Sequence, residues 1–284
     1  MNLIEKNEYK FFGLSEIDLV MIASICVMVW NTAHKPLMAI IMIPILLASL
    51  VKKIRYRPIF WYLIAASWLP FFILSPVATE DHVFLGIFWI IAIGVSLTNT
   101  DELVNLLKHH ARYLIGFTFA AASLWKATSN SFLNGDVFRQ VLFFDDRFRE
   151  FHANILAGLT NQQLEENKST KLDLVANASD SFHSLPLISD DRLTKVVLFM
   201  AIFGLIIEIL IAVSFLAPEN SKISKIRHPA LLIFSWSIYP FVPVLGFALL
   251  LCILGYLLCK PESRYKLIYI FSAASFSTAL IFAA

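Results

Sequence analysis

The sequence predicts an all-α fold, a polytopic membrane helix bundle of about nine transmembrane helices with one long extracytoplasmic loop carrying an amphipathic interfacial helix. Three observations predict it. Hydrophobic residues fill 58% of the 284 positions and charged ones only 15%, whereas a soluble domain holds about 45–50% apolar residues with glycine included and about 25% charged ones. The hydrophobic residues gather into nine runs near membrane-crossing length. The basic residues collect in alternate connections between those runs. A mean hydropathy of +0.71 leaves more apolar surface than one soluble core buries, which excludes an ordinary cytosolic enzyme, a disordered chain and a nucleic-acid-binding domain. The expected partner is the lipid bilayer, with no nucleic acid.

A helix crosses the roughly 30 Å hydrocarbon core with about 20 apolar residues. Runs approaching this length cover 17–33, 36–51, 58–75, 83–98, 111–126, 195–217, 229–241, 244–259 and 265–284. The stretch 229–259 can be read as one tilted helix, but Pro240 and Pro243 flank a Phe-Val pair at its middle, and two prolines so close favour a turn between two helices. Charge sets the orientation, because short loops rich in Lys and Arg stay cytoplasmic. With the amino terminus inside, segments 1–16, 52–57, 99–112, 218–228 and 260–266 hold fourteen basic residues, and the short outer loops hold Lys35 alone. Merging 229–259 into one span would move Lys260, Arg264 and Lys266 outside. The expected protein is therefore an integral membrane protein (of the cytoplasmic membrane if bacterial), with a cytoplasmic amino terminus and an extracytoplasmic carboxyl terminus. Its parts are 1–126 with five spans, the outer loop 127–193, and 194–284 with four spans. The first sixteen residues do not resemble a cleavable signal peptide, and no repeat is visible.

Within the outer loop, Val137, Val141, Phe144, Phe148, Phe151 and Ile155 recur at steps of four and three. This spacing predicts one amphipathic helix over 136–156, capped by Asn134 or Asp136, that lies along the membrane interface or packs on the bundle. Residues 160–192 are polar and poor in aromatics, which predicts a loosely folded loop. Asn167-Lys168-Ser169 and Asn177-Ala178-Ser179 match the glycan acceptor pattern.

Few residues have the character to carry chemistry. Glu208 is the one carboxylate deep in a predicted span, where such groups face the bundle interior and have a partner; it reads as a structural glutamate or as a proton or ligand site. Lys126 ends the fifth run beside Trp125 and reads as a snorkelling anchor, or as a general base if its amine is buried. Counting a rise of about 1.5 Å per residue from the outer ends of the two runs places them roughly 15–20 Å apart in depth, too far for an ion pair. His34, His82, His152 and His183 are expected outside and His109, His110 and His228 inside, with no metal-site spacing among them. Cys26, Cys252 and Cys259 sit in apolar runs and suggest neither a disulfide framework nor zinc.

The stretch from Arg112 to Gly135, RYLIGFTFAAASLWKATSNSFLNG, resembles a segment of the vitamin K-dependent gamma-carboxylase and its bacterial relatives, the HTTM membrane proteins. In that family an aromatic and small-residue span ends in a lysine, matched by Lys126, and a glycine follows it, matched by Gly135. A glutamate in the next span is matched by Glu208 and an Arg-His near the following helix by Arg227-His228. The resemblance implies that Lys126 is an amine base that deprotonates a reduced quinone, with Trp125, Gly135, Glu208, Arg227 and His228 as candidate pocket residues. In the carboxylase, oxygen then turns the quinone into a strong base that prepares glutamyl side chains for carbon dioxide. This chain departs from the pattern: the sequence reaches Ala284 at the end of the ninth run, where the carboxylase continues into a large lumenal domain. Phe234-Ser235 stands where Phe-His is expected, and Phe132 where tryptophan is usual. Two classes of function remain: a quinol-linked enzyme acting on a secreted peptide or lipid at the outer face, or a non-catalytic membrane subunit that binds or helps mature a secreted peptide or membrane protein partner. Transport is a weaker third reading, since no inverted repeat is evident.

Overall fold

The computed structural model describes residues 14–30, 36–70, 81–176, 191–239 and 244–283, and the regular structure among them is helical. Each of the nine apolar runs carries one helix: α1 (Glu16–Trp30), α2 (Pro36–Leu50), α3 (Pro58–Ser67), α4 (Asp81–Ser96), α5 (Leu103–Thr128), α8 (Asp191–Leu216), α9 (Arg227–Ile238), α10 (Leu245–Leu257) and α11 (Arg264–Ala283). Two more, α6 (Asp136–Phe144) and α7 (Asn161–Ala176), fall in the segment expected to lie outside the membrane. Among the described residues only α8 is by itself long and apolar enough to cross a membrane; α4 from Val83 and α5 from Thr100 qualify together but meet at a 119° bend.

Local chemistry sets the helix ends. Ser15 Oγ accepts from the Asp18 amide at 3.2 Å while Asp18 Oδ2 accepts from the Ser15 amide at 3.0 Å, a reciprocal cap that starts α1. Pro58 stands in the first turn of α3, where a missing N–H costs nothing. α5 and α8 pack antiparallel. At one end Arg112 Nε donates to the Phe215 carbonyl at 2.7 Å and its Nη2 donates to the Ala217 carbonyl, which satisfies acceptors left over at the end of α8. Gly116 permits the approach, because a Cβ there would lie 2.7 Å from Leu216 Cδ2.

The same end of the molecule collects charge. Asp18 and Arg55, both fully buried, form an ion pair, and Arg55 Nη1 donates to the Ser49 carbonyl at 2.5 Å. Lys266 Nζ reaches both Glu16 carboxylate oxygens at 2.8 Å, tying α11 to α1. Away from this end, whole helix faces of apolar side chains are exposed. On α8 they are Phe199, Ile202, Ile206, Ile209 and Val213; on α4 they are Phe84, Phe88, Ile91 and Val95. Such helical stripes far exceed the scattered exposed apolar residues normal for a soluble surface.

Three expectations for the 127–193 segment are corrected. The single helix over 136–156 is broken: α6 stops at Phe144, Asp145 is extended (φ −103°, ψ 109°), and a 3-10 turn Asp146–Phe148 leads into a π-helical stretch Arg149–Leu156. The break and the wider pitch rotate the second half, so Leu142, Phe143, Phe148, His152 and Ala153 are buried while Phe151 and Ile155 of the predicted stripe are exposed. The helix start is Gly135 in the left-handed conformation, φ +77°, rather than a side-chain cap from Asn134 or Asp136. The described part of the expected loose loop instead forms α7 over Asn161–Ala176, and 177–190 lie outside the described residues. Thr160 and Gln163 cap it reciprocally, at 2.8 and 3.2 Å, and Lys168 pairs with Asp146 at 2.6 Å. Asn167 is buried, which removes it as a glycan acceptor in the folded protein; Asn177 lies outside the described residues. A small apolar core, with Leu142, Phe143, Phe148, Leu164, Leu193 and Val197, fastens this layer to α8.

Gly135 carries that layer. A Cβ there would sit 2.8 Å from Val197 Cγ2 and 3.2 Å from its backbone carbon, in a conformation L side chains rarely adopt. Gly135→Ala is expected to destabilise the protein by about 1–3 kcal/mol, seen as a lower midpoint in thermal unfolding and faster proteolysis between residues 136 and 176. An unchanged midpoint would mean the turn relaxes freely.

Candidate functional site

Lys126 sits in the last turn of α5, and Ser129, which follows that helix, caps the next short one by accepting from the Phe132 amide at 3.3 Å. The short turn that follows, Asn130–Leu133, places the Phe132 ring 5.2 Å from Lys126 Nζ. The ammonium lies inward, with the side chain 21% exposed, and Nζ is 2.5 Å from Glu208 Oε1, whose side chain is 7% exposed.

This ion pair corrects the expected separation. Lys126 is fourteen residues along α5 from Arg112, and fourteen residues back along α8 from Leu216 is Ile202. Lys126 is therefore level with the middle of α8, because α8 extends past it to carry the layer of α6 and α7. The remaining six residues to Glu208 correspond to about 9 Å of rise. Side chains on a helix lean toward its amino terminus, and in an antiparallel pair these two lean toward each other and close the gap. An inward lysine with a buried counter-ion is not a snorkelling anchor.

Above the pair lies a cavity of about 760 Å³, framed by α5, α6, α8, α9, α10 and the π-helical stretch. Its walls are aromatic, with Phe138, Phe148, Phe199, Phe203, Phe234 and Phe247. Gly204, one turn before Glu208, keeps the space over the carboxylate open: a Cβ there would meet nothing within 4 Å. Among the described residues Glu208 is the one carboxylate in the lining, against Lys126, Arg192 and Lys195. Arg192 is also a structural tie, donating to the Leu156 and Ile155 carbonyls at 2.8 and 2.6 Å. His152 lines the cavity as well, and burial holds its imidazole below the usual histidine range.

Two oxygens at this cavity have no hydrogen-bond partner among the described residues, Glu208 Oε2 and Tyr239 Oη. Both residues are at least 95% buried. Tyr239 is held by rings, with Phe234, Phe276 and Phe247 at centroid distances of 5.8, 5.9 and 6.2 Å.

Of the residues singled out in the sequence, the fold brings Lys126 and Glu208 together and leaves the others elsewhere. Trp125, adjacent to Lys126, points the opposite way and is 60% exposed. Gly135 acts on Val197 and does not line the cavity. Arg227 and His228 start α9 at the charged end, where His228 Nδ1 lies 3.2 Å from Tyr269 Oη and 3.8 Å from Cys259 Sγ. Among the described residues, no three His, Cys, Asp or Glu side chains converge as a metal site would need. Sequence reasoning missed Tyr239, Arg192 and Lys195. Tyr239 precedes a proline at the end of a run, the usual position of an interfacial aromatic. Arg192 and Lys195 flank the next run like ordinary loop cations.

Comparison with protein-family models, curated proteins and solved structures finds no match.

Proposed function

We propose that the chain is a nine-span membrane protein, amino terminus cytoplasmic and carboxyl terminus outside, whose outward-facing cavity serves a quinol-linked reaction on a secreted peptide or lipid with Lys126 as base. The exposed apolar stripes support the membrane setting, since they would face lipid. The gathering of Asp18, Arg55, Arg112, Glu16 and Lys266 at one end supports the orientation, that end being cytoplasmic.

The observation that carries the function is the Lys126–Glu208 pair at the floor of a cavity walled by aromatic rings. Its volume is within the range of about 300–1,000 Å³ typical of small-molecule sites. Its two unpartnered oxygens suit a ligand with a polar head and an apolar body, which fits a quinol. A reduced quinone bound there would supply an acidic ring hydroxyl and reducing equivalents, with oxygen as the oxidant. Lys126 and Glu208 manage the proton: across 2.5 Å it can pass from Nζ to Oε1, leaving a neutral amine able to accept another from a bound hydroxyl. The aromatic walls orient a flat ring and exclude water.

Quinone extracted from purified wild-type protein tests this. A stoichiometric amount is expected, reduced at least tenfold by Lys126→Ala. Absence of quinone from the wild type would overturn the quinol reading. A secreted partner captured equally by wild type and Lys126→Ala would replace it with the non-catalytic subunit, the outer layer of α6 and α7 then being the docking face.

A further inference from the structure

We infer that the cavity selects a ligand by a hydroxyl at its buried end, which donates to Glu208 Oε2 while Tyr239 Oη donates to the same or a neighbouring ligand oxygen. The inference deepens the reading of this cavity as the ligand site and does not require the ligand to be a quinol.

The donor and acceptor inventory leads to it. A carboxylate only accepts, through both oxygens. Lys126 occupies Oε1 of Glu208, and Oε2 of this cavity-lining residue is buried without a hydrogen-bond partner among the described residues. Tyr239 Oη, 3% exposed by residue, is likewise unpartnered and can donate as well as accept. Buried polar groups left unmatched are costly, so a ligand that matches both is favoured over one that matches neither. A hydrocarbon chain offers nothing to either oxygen. An ether or carbonyl accepts from Tyr239 but presents lone pairs to Glu208. A carboxylate or phosphate suits the Arg192 and Lys195 part of the lining but repels Glu208 at the buried end. An amine satisfies Glu208 but sets a second cation beside Lys126. Of these groups, a hydroxyl both donates to one oxygen and accepts from the other. The ring faces of Phe203, Phe234 and Phe247 beside it favour a phenol over an aliphatic alcohol.

The test uses full-length protein in lipid nanodiscs, with 4-octylphenol and its methyl ether as probes in calorimetric titrations. The ether keeps the ring, tail and acceptor oxygen but loses the donor. In the wild type the phenol is expected to bind at least tenfold more tightly. Glu208→Gln, which replaces the charged acceptor by a neutral amide, is expected to close most of that gap. Tyr239→Phe, which removes one oxygen and keeps the ring, is expected to weaken both probes severalfold and leave the gap in place. It also keeps the test open if Glu208→Gln does not fold. Equal binding of phenol and ether by the wild type would overturn the inference, as would a gap that survives Glu208→Gln unchanged, since that gap would be steric. Phenol selection in protein that carries no quinone would sustain the inference and sink the quinol reading. Quinone retention with no phenol selection would do the reverse.

Discussion

Asp18→Leu is expected to lower the unfolding free energy by about 3–5 kcal/mol, the usual result of removing one partner from a buried ion pair. Arg55 is fully buried, and its guanidinium is fixed by Asp18 on α1 and by the Ser49 carbonyl at 2.5 Å. Its own carbonyl accepts from Trp61 Nε1 at 2.7 Å, which fixes the backbone beneath the buried side chain. With Asp18 gone, the positive charge stays buried and unmatched. Half of the reciprocal cap goes with it, since the Ser15 amide loses its acceptor while Ser15 Oγ still accepts from the amide of residue 18, a further cost of about 0.5–1.5 kcal/mol. Pairing Asp18→Leu with Arg55→Met is expected to recover most of the loss, because well-packed apolar side chains often replace a buried pair at little cost. Denaturant titration followed by tryptophan fluorescence reads this directly, Trp61, Trp68 and Trp89 being buried. A single-variant loss under about 1 kcal/mol, the range of an exposed pair, would mean that Arg55 reaches water.

The fold was legible where the signal is repetitive and local. Each long apolar run holds a helix among the described residues, but only one of these helices has by itself the length and apolarity to cross a membrane; α9 and α10 are separate helices, and the two prolines between them lie outside the described residues. The 136–156 helix was misread because an apolar stripe says nothing of a break: its spacing assumed a constant pitch, and Asp145 ends that pitch. α7 was overlooked because its composition is polar, yet Thr160-x-x-Gln163 is a capping signature of the same kind as Ser15-x-x-Asp18, and both were available in the sequence. The site was half legible. Glu208 stood out as a carboxylate in an apolar run and Lys126 through its neighbours, but their meeting depends on the stagger of α5 against α8. That stagger is fixed by Arg112 at one end and Gly135 at the other, long-range contacts that leave no periodic trace. Tyr239 could not be found from sequence, since its significance lies in an oxygen without a partner.

The same stagger makes the Lys126–Glu208 pair asymmetric, and its two halves should not cost the same. Lys126→Met leaves Glu208 with a side chain 7% exposed on a helix that cannot shift without breaking its contacts to Arg112. About 3–5 kcal/mol of stability is expected to go. Glu208→Leu strands the ammonium instead, but Lys126 is 21% exposed and its long stem can turn toward the cavity mouth and water. Its cost should be smaller by at least about 1 kcal/mol, since the charge is not trapped. The double variant is expected to be more stable than Lys126→Met alone, giving a coupling energy of roughly 0.5–3 kcal/mol in a double-mutant cycle. All three variants lose the proton-handling pair, so none should retain quinone, whatever its stability. Loss of retention in a variant whose unfolding midpoint is normal therefore separates the chemical role of the pair from its structural one. If Lys126→Met leaves stability within about 0.5 kcal/mol of the wild type, as an exposed surface change would, the ammonium resides at the interface as an anchor and Glu208 has no cation to answer it.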